Sequence, residues 1–240
     1  MKGQQVHLVH LYPREMNIYG DTGNRLIIKK RLEWRGYEPV IHLVGVGDRL
    51  PPSADFILGG GGQDSGQALV TSDLAKKRAD LQQMAASGVT MLMICGMYQL
   101  FGHYFLTKDG DKLAGIGMFD LITRGSDNRL IGNIKTSSAF GEIVGYENHS
   151  GLTELGEQQS PLGHSPLGQG NNGRDRTEGA LKFNVFGSYL HGPILAKNPH
   201  FADELISRML EHRMGTKPEL ELLDDELELS AAKFAQKRPR

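Results

Sequence analysis

Cys95 is the only cysteine among 240 residues, and it stands in "TMLMICGMYQLFG" (Thr90–Gly102). Four apolar residues lead into it and a glycine follows. A buried strand, a tight turn and a helix would set this thiol at the carboxyl edge of a parallel sheet, where open α/β folds bind ligands. The free N–H groups at the start of the helix favour a thiolate and a developing oxyanion there. The blander reading is a small buried hydrophobe, the commoner fate of a lone cysteine.

A thiol nucleophile needs a base to take its proton. There are nine histidines. His7, His10 and His42 fall inside strand-like runs, and His200 and His212 lie on or near a helical one. His191 differs, because it ends the run "FGSYLHGP" just before the turn-forming Gly192-Pro193. His149 in "YENHSG" and His164 in a loop are its rivals. The glycines Gly59–Gly62 close another strand-like run and let the backbone approach an anion, or serve simply as a flexible turn. One N–H from that loop and one beside Cys95 would form an oxyanion hole, worth roughly 3–4 kcal/mol per donor.

The elements that must hold these groups follow from the pattern. "VHLVHLY", "PVIHLV", Phe56–Leu58 and "TMLMIC" read as strands. Between them, Asp21 can cap a helix running to about Arg35, with Gly36 ending it. Ser72 can cap another over Asp73–Ala86, and "GMYQLFGHYF" begins like a third. This alternation predicts parallel βαβ units. After Gly110 the rhythm changes to "GMFDLITRG", "RLIGNIKTSS", "EIVGYENHSG" and "LKFNVFGSYLHG", strands without helices between them. The expected fold class is therefore α/β, a single domain with a mostly parallel central sheet flanked by helices and an antiparallel extension. Leu152–Asp175 is rich in Gly, Pro, Gln and Asn and reads as a loop. "HFADELISRMLEHRMG" predicts a helix ended by Gly215. Leu220, Leu223, Leu227 and Phe234 are spaced for one face of a last helix filling roughly the final 25 residues.

Composition narrows the function classes. Hydrophobic residues are 39%, charged residues 23%, and the net charge is −1, so no overall field favours nucleic acid or an anionic membrane. The longest apolar runs fall far short of a bilayer span of ~20 residues. The opening residues carry no secretion pattern, and one cysteine fits a reducing compartment, so a cytoplasmic protein is expected. No phosphate-binding P-loop and no Cys/His cluster with metal-ligand spacing occurs.

Taken together, these segments resemble the class I glutamine amidotransferases, and within them the cobyric-acid-synthase-like (CobB/CobQ-like) branch. The elbow C-G-G-[YF]-Q-x-L-G of that branch is similar to Cys95-Gly96-Met97-Tyr98-Gln99-Leu100-Phe101-Gly102. Its G-[YF]-E-N-H-x-G is matched by Gly145–Gly151, and its histidine segment by Gly187–Pro193. "LYPREMNIYGDTGN", "GGGGQD", "NRLIGN" and "GNNGRD" further resemble glutaminase subunits that serve a separate Mur-ligase-like subunit. The resemblance covers nearly the whole chain.

It implies that Cys95 attacks the carboxamide of L-glutamine and that His191 acts as general base and acid. It implies that Arg129 binds the α-carboxylate of glutamine, a task suited to a bidentate guanidinium. Backbone N–H groups of Gly60, Gly61 and Gly96 would hold the oxyanion. No cofactor or metal is expected on this chain. ATP and Mg would belong to a MurT-like Mur ligase partner in a heterodimer, which would amidate the α-carboxylate of D-glutamate in the stem peptide of lipid II. Another acceptor, such as a cobyrinate-type corrinoid, and a non-catalytic regulatory subunit are the alternatives.

Three departures from the family pattern carry expectations. Pro193 stands where many class I enzymes place a glutamate that orients the histidine. The chain thus reads as a Cys/His dyad, with a partner carboxylate expected to complete the triad. Met93 and Met97 stand at elbow positions that are often glycine, and Met97 is expected to narrow the glutamine pocket. "HSPLGQG" matches no expected role.

Overall fold

The apolar runs become the interior of a parallel sheet. The structure is a computed structural model describing residues 3–166 and 169–238. Its elements up to the elbow are β1 (Gln5–Leu11), α1 (Thr22–Trp34), β2 (Glu38–Val44), β3 (Phe56–Gly59), α2 (Asp64–Ala86), β4 (Thr90–Ile94) and α3 (Gly96–Leu100). Then come β5 (Tyr104–Leu106), β6 (Lys112–Ala114), β7 (Leu121–Ser138), β8 (Gly141–Leu155), β9 (Gly163–His164) and β10 (Thr177–Glu178). The chain closes with β11 (Ala180–Lys182), β12 (Val185–Ser188), β13 (Leu190–His191), a 3-10 turn (Ile194–Lys197), α4 (Pro199–Met214) and α5 (Glu226–Gln236).

The central sheet runs β11-β12-β4-β3-β1-β2. All its pairs are parallel except β11 with β12. Every residue of β3, β4 and β12 is buried, as strands covered on both faces must be. The sheet order reverses at β1, since β2 lies on one side of it and β3 on the other. That switch point opens a crevice at the carboxyl edge.

Of the later strands, β12 and the antiparallel β11 extend the first sheet, while β5 to β10 and β13 form a second. Its spine is the β7–β8 hairpin, with a register shift between Gly125 and Leu130. β7 also pairs with β5 and β9, and β13 pairs with β8. The chain leaves β12 at Ser188, turns through buried Tyr189, and re-pairs as β13, so His191 stands where the two sheets meet. The two segments "GMFDLITRG" and "RLIGNIKTSS" are therefore one strand, not two.

Several boundaries differ from the sequence reading. α2 begins at Asp64, nine residues before the expected start, so Ser72 lies inside it. Gly66 lets this first turn pass the backbone of Glu15, whose carbonyl oxygen is 2.8 Å from where a Cβ would be. α3 has only five residues, because Gly102 turns the chain against Leu121. The Leu152–Asp175 segment is not all loop, since β8 runs to Leu155 and β9 pairs with β7 and β10. Leu167 and Gly168 of "HSPLGQG" lie outside the described residues.

The last helix is confined to Glu226–Gln236. Before it, the chain runs without regular structure from Gly215, which ends α4 at φ 74°, past Pro218 to Asp225. Leu220 packs on the core from that segment, while Leu227 and Phe234 are exposed. The leucine spacing is helical, but Pro218 lacks the N–H a helix needs, and Arg31 of α1 and Arg35 just after it hold this segment at Asp225 and Glu221. Among the described residues no helix is long and apolar enough to cross a membrane.

Candidate active site

Four neighbouring strands end at one edge, and each end delivers a group to the same place. β4 delivers Cys95 and β3 delivers the glycines. β12 leads through Tyr189 to His191. The loop after β1 returns over the edge as far as Asp21.

Cys95 sits in a nucleophile elbow. Its φ is 50° and ψ −106°, a conformation rare for a residue with a side chain. Such a turn costs on the order of 1–3 kcal/mol and persists only where its surroundings fix it. Here Cys95 N–H donates to Ser188 O (2.8 Å) and Gln99 N–H donates to Cys95 O (3.0 Å). Beneath the elbow runs a buried polar chain. Gln67 Nε2 donates to Gly96 O (3.2 Å) and to Gln99 Oε1 (2.8 Å). Gln99 Nε2 then donates to Tyr189 Oη (3.0 Å), which is 2.6 Å from Thr153 Oγ1. Tyr98 Oη donates to Asn171 Oδ1 (2.9 Å), and Asn171 in turn accepts from Gly179 N–H. "GNNGRD" thus anchors the elbow from below.

Met97 does not narrow the pocket. Its side chain lies under Gly59, where a Cβ would be 2.8 Å from Met97 Cγ and 2.9 Å from Met93 Sδ. The two methionines fill the volume that Gly59 leaves empty, an exchange of bulk across the strand. Met97 is fully buried and is not among the residues facing the cavity.

His191 is buried beside Cys95. A Cβ on Gly61 would be 2.9 Å from His191 Cε1 and 3.2 Å from Cys95 Cβ, so only a glycine fits between them. The ring packs against Tyr19 at 4.4 Å between centroids. Its Nε2 is buried without a hydrogen bond, and its Nδ1 lies 3.4 Å from Asp21 Oδ1. Burial pulls its pKa down, but Asp21 and the neighbouring Cys95 sulfur outweigh burial and raise it to about 10. At neutral pH the imidazole therefore carries a second proton.

The rival histidines are held differently. His149 does line the cavity, but it stacks on Tyr189 at 3.6 Å and its Nδ1 is 2.8 Å from Gly151 O. His164 is exposed on β9.

The sequence reading missed Asp21, which it placed as a helix cap. Asp21 is the residue before α1, yet its side chain caps nothing. Asn17 Oδ1 instead accepts the Thr22 N–H (2.8 Å). The freed carboxylate is fully buried, accepts Gly61 N–H at Oδ2 (2.7 Å), and turns Oδ1 to His191. The chain thus places a carboxylate of its own beside His191, where the sequence reading left that position to a partner. The same "NIYGDTGN" segment braces the histidine from behind. Pro193 packs where a Gly23 side chain would be, and Asn24 Oδ1 accepts Leu195 N–H (3.0 Å).

A cavity of about 390 Å³ opens onto the thiol, lined among others by Tyr19, Gly62, Asp64, Cys95, Arg129 and Asn148. Arg129 comes from the register shift in β7. Its guanidinium is held by Asn148 Oδ1 (2.6 Å) and Tyr19 Oη (3.0 Å). Of the glycine N–H groups, Gly61 is committed to Asp21, and Met97 N–H donates to Gly60 O (3.3 Å). Gly62 faces the cavity. Gly96, the first residue of α3, has no intrahelical acceptor for its N–H.

An elbow thiol, a buried histidine beside it and a polar cavity with an arginine in its wall thus stand together at the carboxyl edge of the sheet. The family model for the CobB/CobQ-like glutamine amidotransferase domain matches residues 7–199, and the chain belongs to that family. It is 36% identical over 229 residues to the lipid II isoglutaminyl synthase (glutamine-hydrolyzing) subunit GatD of Staphylococcus aureus, covering 95% of this chain and 93% of that one. It is 36% identical to the subunit of the same name from Streptococcus pneumoniae, covering 92% and 86%. A probable cobyric acid synthase of Methanothermobacter thermautotrophicus is 34% identical over 153 residues, which are 57% of this chain and 29% of that protein. The fold is shared with PurLQS of Thermotoga maritima (TM-score 0.54, 18% identity, 89% of this chain and 100% of that one). It is also shared with a further glutamine amidotransferase structure (TM-score 0.57, 13% identity, 84% and 98%).

Proposed function

We propose that this chain is the glutaminase subunit of a two-subunit synthase. It hydrolyses L-glutamine at Cys95 and supplies ammonia to a Mur-ligase-like, MurT-like partner. That partner, holding ATP and Mg, amidates the α-carboxylate of D-glutamate in the lipid II stem peptide. The observation that carries the reading is Cys95 on its elbow with His191 beside it and the Arg129-lined cavity in front. The acceptor rests on the two GatD relatives, matched over nearly their full lengths. The cobyric acid synthase match spans under a third of that protein, so a corrinoid acceptor is less supported.

In the reaction, Arg129 takes the α-carboxylate and the side-chain amide reaches Cys95. The sulfur attacks the carboxamide carbon, and the tetrahedral oxyanion points to the N–H groups of Gly62 and Gly96. Gly62 replaces Gly61 in this role because Gly61 N–H is already held by Asp21. His191, doubly protonated at neutral pH, gives its Nε2 proton to the amide nitrogen. The C–N bond breaks, ammonia leaves, and a γ-glutamyl thioester remains. His191 then takes a proton from water as the water attacks the thioester, and collapse releases glutamate and the Cys95 thiolate beside the again doubly protonated imidazole.

The test is reconstitution with the Mur-ligase-like subunit, ATP, Mg, glutamine and lipid II, following ammonia release and stem-peptide amidation together. Both are expected. Ammonia release without amidation of lipid II, or co-purification with a corrinoid-modifying synthetase, overturns the acceptor. In the same assay Arg129→Ala is expected to raise KM for glutamine about 10- to 100-fold with a smaller change in kcat, the signature of lost substrate binding. An unchanged KM removes Arg129 from the substrate site.

A further inference from the structure

We propose that Asp21 is the positioning carboxylate of this site, fixing the ring of His191 with one oxygen and the glycine loop with the other. The inference rests on the Cys95–His191 reading above and adds a third residue, drawn from this chain. Four observations carry it. Asp21 is fully buried, and a buried carboxylate is retained only where partners satisfy it. Both oxygens are aimed at the site, Oδ2 accepting Gly61 N–H at 2.7 Å and Oδ1 lying 3.4 Å from His191 Nδ1. The helix-capping task that its position suggests is performed by Asn17 instead. Finally, the glycines are cut to fit it: a Cβ on Gly61 would stand 3.3 Å from Asp21 Oδ2, and one on Gly60 would stand 3.1 Å from Asp21 Cβ.

The chemistry follows from which nitrogen Asp21 engages. A carboxylate on Nδ1–H leaves Nε2 directed at the thiol side, the arrangement that acid–base exchange with sulfur requires. No other carboxylate of the described residues forms an ion pair with His191. The second oxygen gives the arrangement a further property. Because the same carboxyl group holds Gly61, the histidine and the glycine loop are set relative to one another by one side chain.

Other titratable groups surround the pair. Cys95 comes from the elbow, Tyr19 packs on the ring, and Tyr146 of β8 lies opposite His191 in the β13 pairing. Lys197 Nζ approaches Gly192 from the 3-10 turn. On the far side of Asp21 stands His10 of β1, lowered to about 4 chiefly by burial and also by Arg25. It is therefore neutral at physiological pH, and Asp21 is left to act on His191.

Asp21→Asn keeps the size of the side chain and removes its charge. It is tested in the full chain with its co-purified partner, beside Cys95→Ala and Asp21→Ala. Asp21→Asn is expected to lower kcat about 100-fold or more with KM within about threefold, as loss of an orienting carboxylate does in related hydrolytic sites. The second readout is the pH dependence of kcat. His191 is held protonated up to about 10 in the wild type, partly by Asp21. Without that charge it loses its extra proton at lower pH, so the alkaline limb of the kcat profile, which needs the protonated ring, moves down. A merely structural role would lower the melting temperature and leave the limb in place. A kcat within threefold of wild type with an unmoved limb overturns the proposal. If instead Cys95→Ala keeps wild-type turnover, the thiol mechanism itself is overturned, whatever Asp21→Asn does. Should Asp21→Asn fold poorly by circular dichroism, the limb of its residual turnover, which only folded enzyme gives, still decides.

Discussion

Cys95→Ala is expected to lose glutamine hydrolysis by about 10⁴-fold or more, the scale seen when a covalent nucleophile is removed. Ammonia release measures it. The cavity offers no substitute. Ser65 and Ser150 line it, but among the described residues no ionisable base hydrogen-bonds either hydroxyl. His191 is aimed at Cys95 across Gly61, and its other nitrogen is turned to Asp21. The fold is expected to tolerate the change. Alanine is nearly as large, and the elbow is held by backbone bonds from Ser188 and Gln99 and by Gln67 on Gly96, none of which uses the thiol. Melting should therefore shift by no more than about 1 kcal/mol equivalent. Coupled amidation with glutamine should fail in the same variant and be restored by added ammonium salt, because the partner's chemistry is separate. Hydrolysis retained by Cys95→Ala would end the thiol mechanism.

The placement of Cys95 and His191 at a sheet edge could be read from sequence because each ends a buried apolar run at a glycine. Asp21 could not. It lies 170 residues from His191 and occupies a position where aspartate is also a good helix cap, so local chemistry supplied a sufficient but incorrect explanation. The signal that distinguishes the two roles is Asn17, which also caps, and only the folded loop shows which of the two does so. Met97 was misjudged for a related reason. Spacing places a residue on a short helix but does not say which side it faces, and the space waiting for it was created by Gly59, 38 residues earlier. The parallel core was legible because strands buried on both faces need uninterrupted apolar runs. The second sheet was half legible. Its strands alternate as expected, but the departure of β13 from β12 toward β8 depends on long-range pairing that no local pattern encodes.

The C-terminal segment was the largest error in element placement, and it leads to the second strong prediction. Arg31 of α1 is almost wholly buried and serves two carboxylates at once. Its Nε and Nη2 donate to Asp203 of α4 at 2.8 and 2.7 Å, and its Nη1 and Nη2 donate to Asp225 at 2.5 and 3.1 Å. Arg35 adds a bond to Asp203 (2.7 Å) and another to the carbonyl of Glu221 (2.9 Å). These bonds pin the segment at Glu221 and Asp225, just before α5, against the helical spacing of its leucines. Arg31→Met keeps the length of the stem and deletes every charged bond. Removing one partner of a buried ion pair costs roughly 3–5 kcal/mol. Asp203 and Asp225 remain 25% and 21% exposed, so water recovers part of that loss and about 2–3 kcal/mol is expected. Denaturant unfolding measures it. Limited proteolysis should cut between 215 and 225 before the core, and glutamine hydrolysis by the folded fraction should persist, because Arg31 touches nothing in the active site. The acid response should change as well. Burial raises the pKa of Asp203, but Arg31 and Arg35 outweigh it and hold it below the ordinary carboxylate value. A depressed carboxylate contributes stability above its unfolded pKa and loses it as pH falls through the folded one. The wild type should therefore lose stability from about pH 4 downward more steeply than Arg31→Met, which has already lost the Arg31 share of that contribution. Parallel acid profiles, or a C-terminal segment as protease-resistant in the variant as in the wild type, would show that the core contacts of Leu220 hold the segment without the arginine.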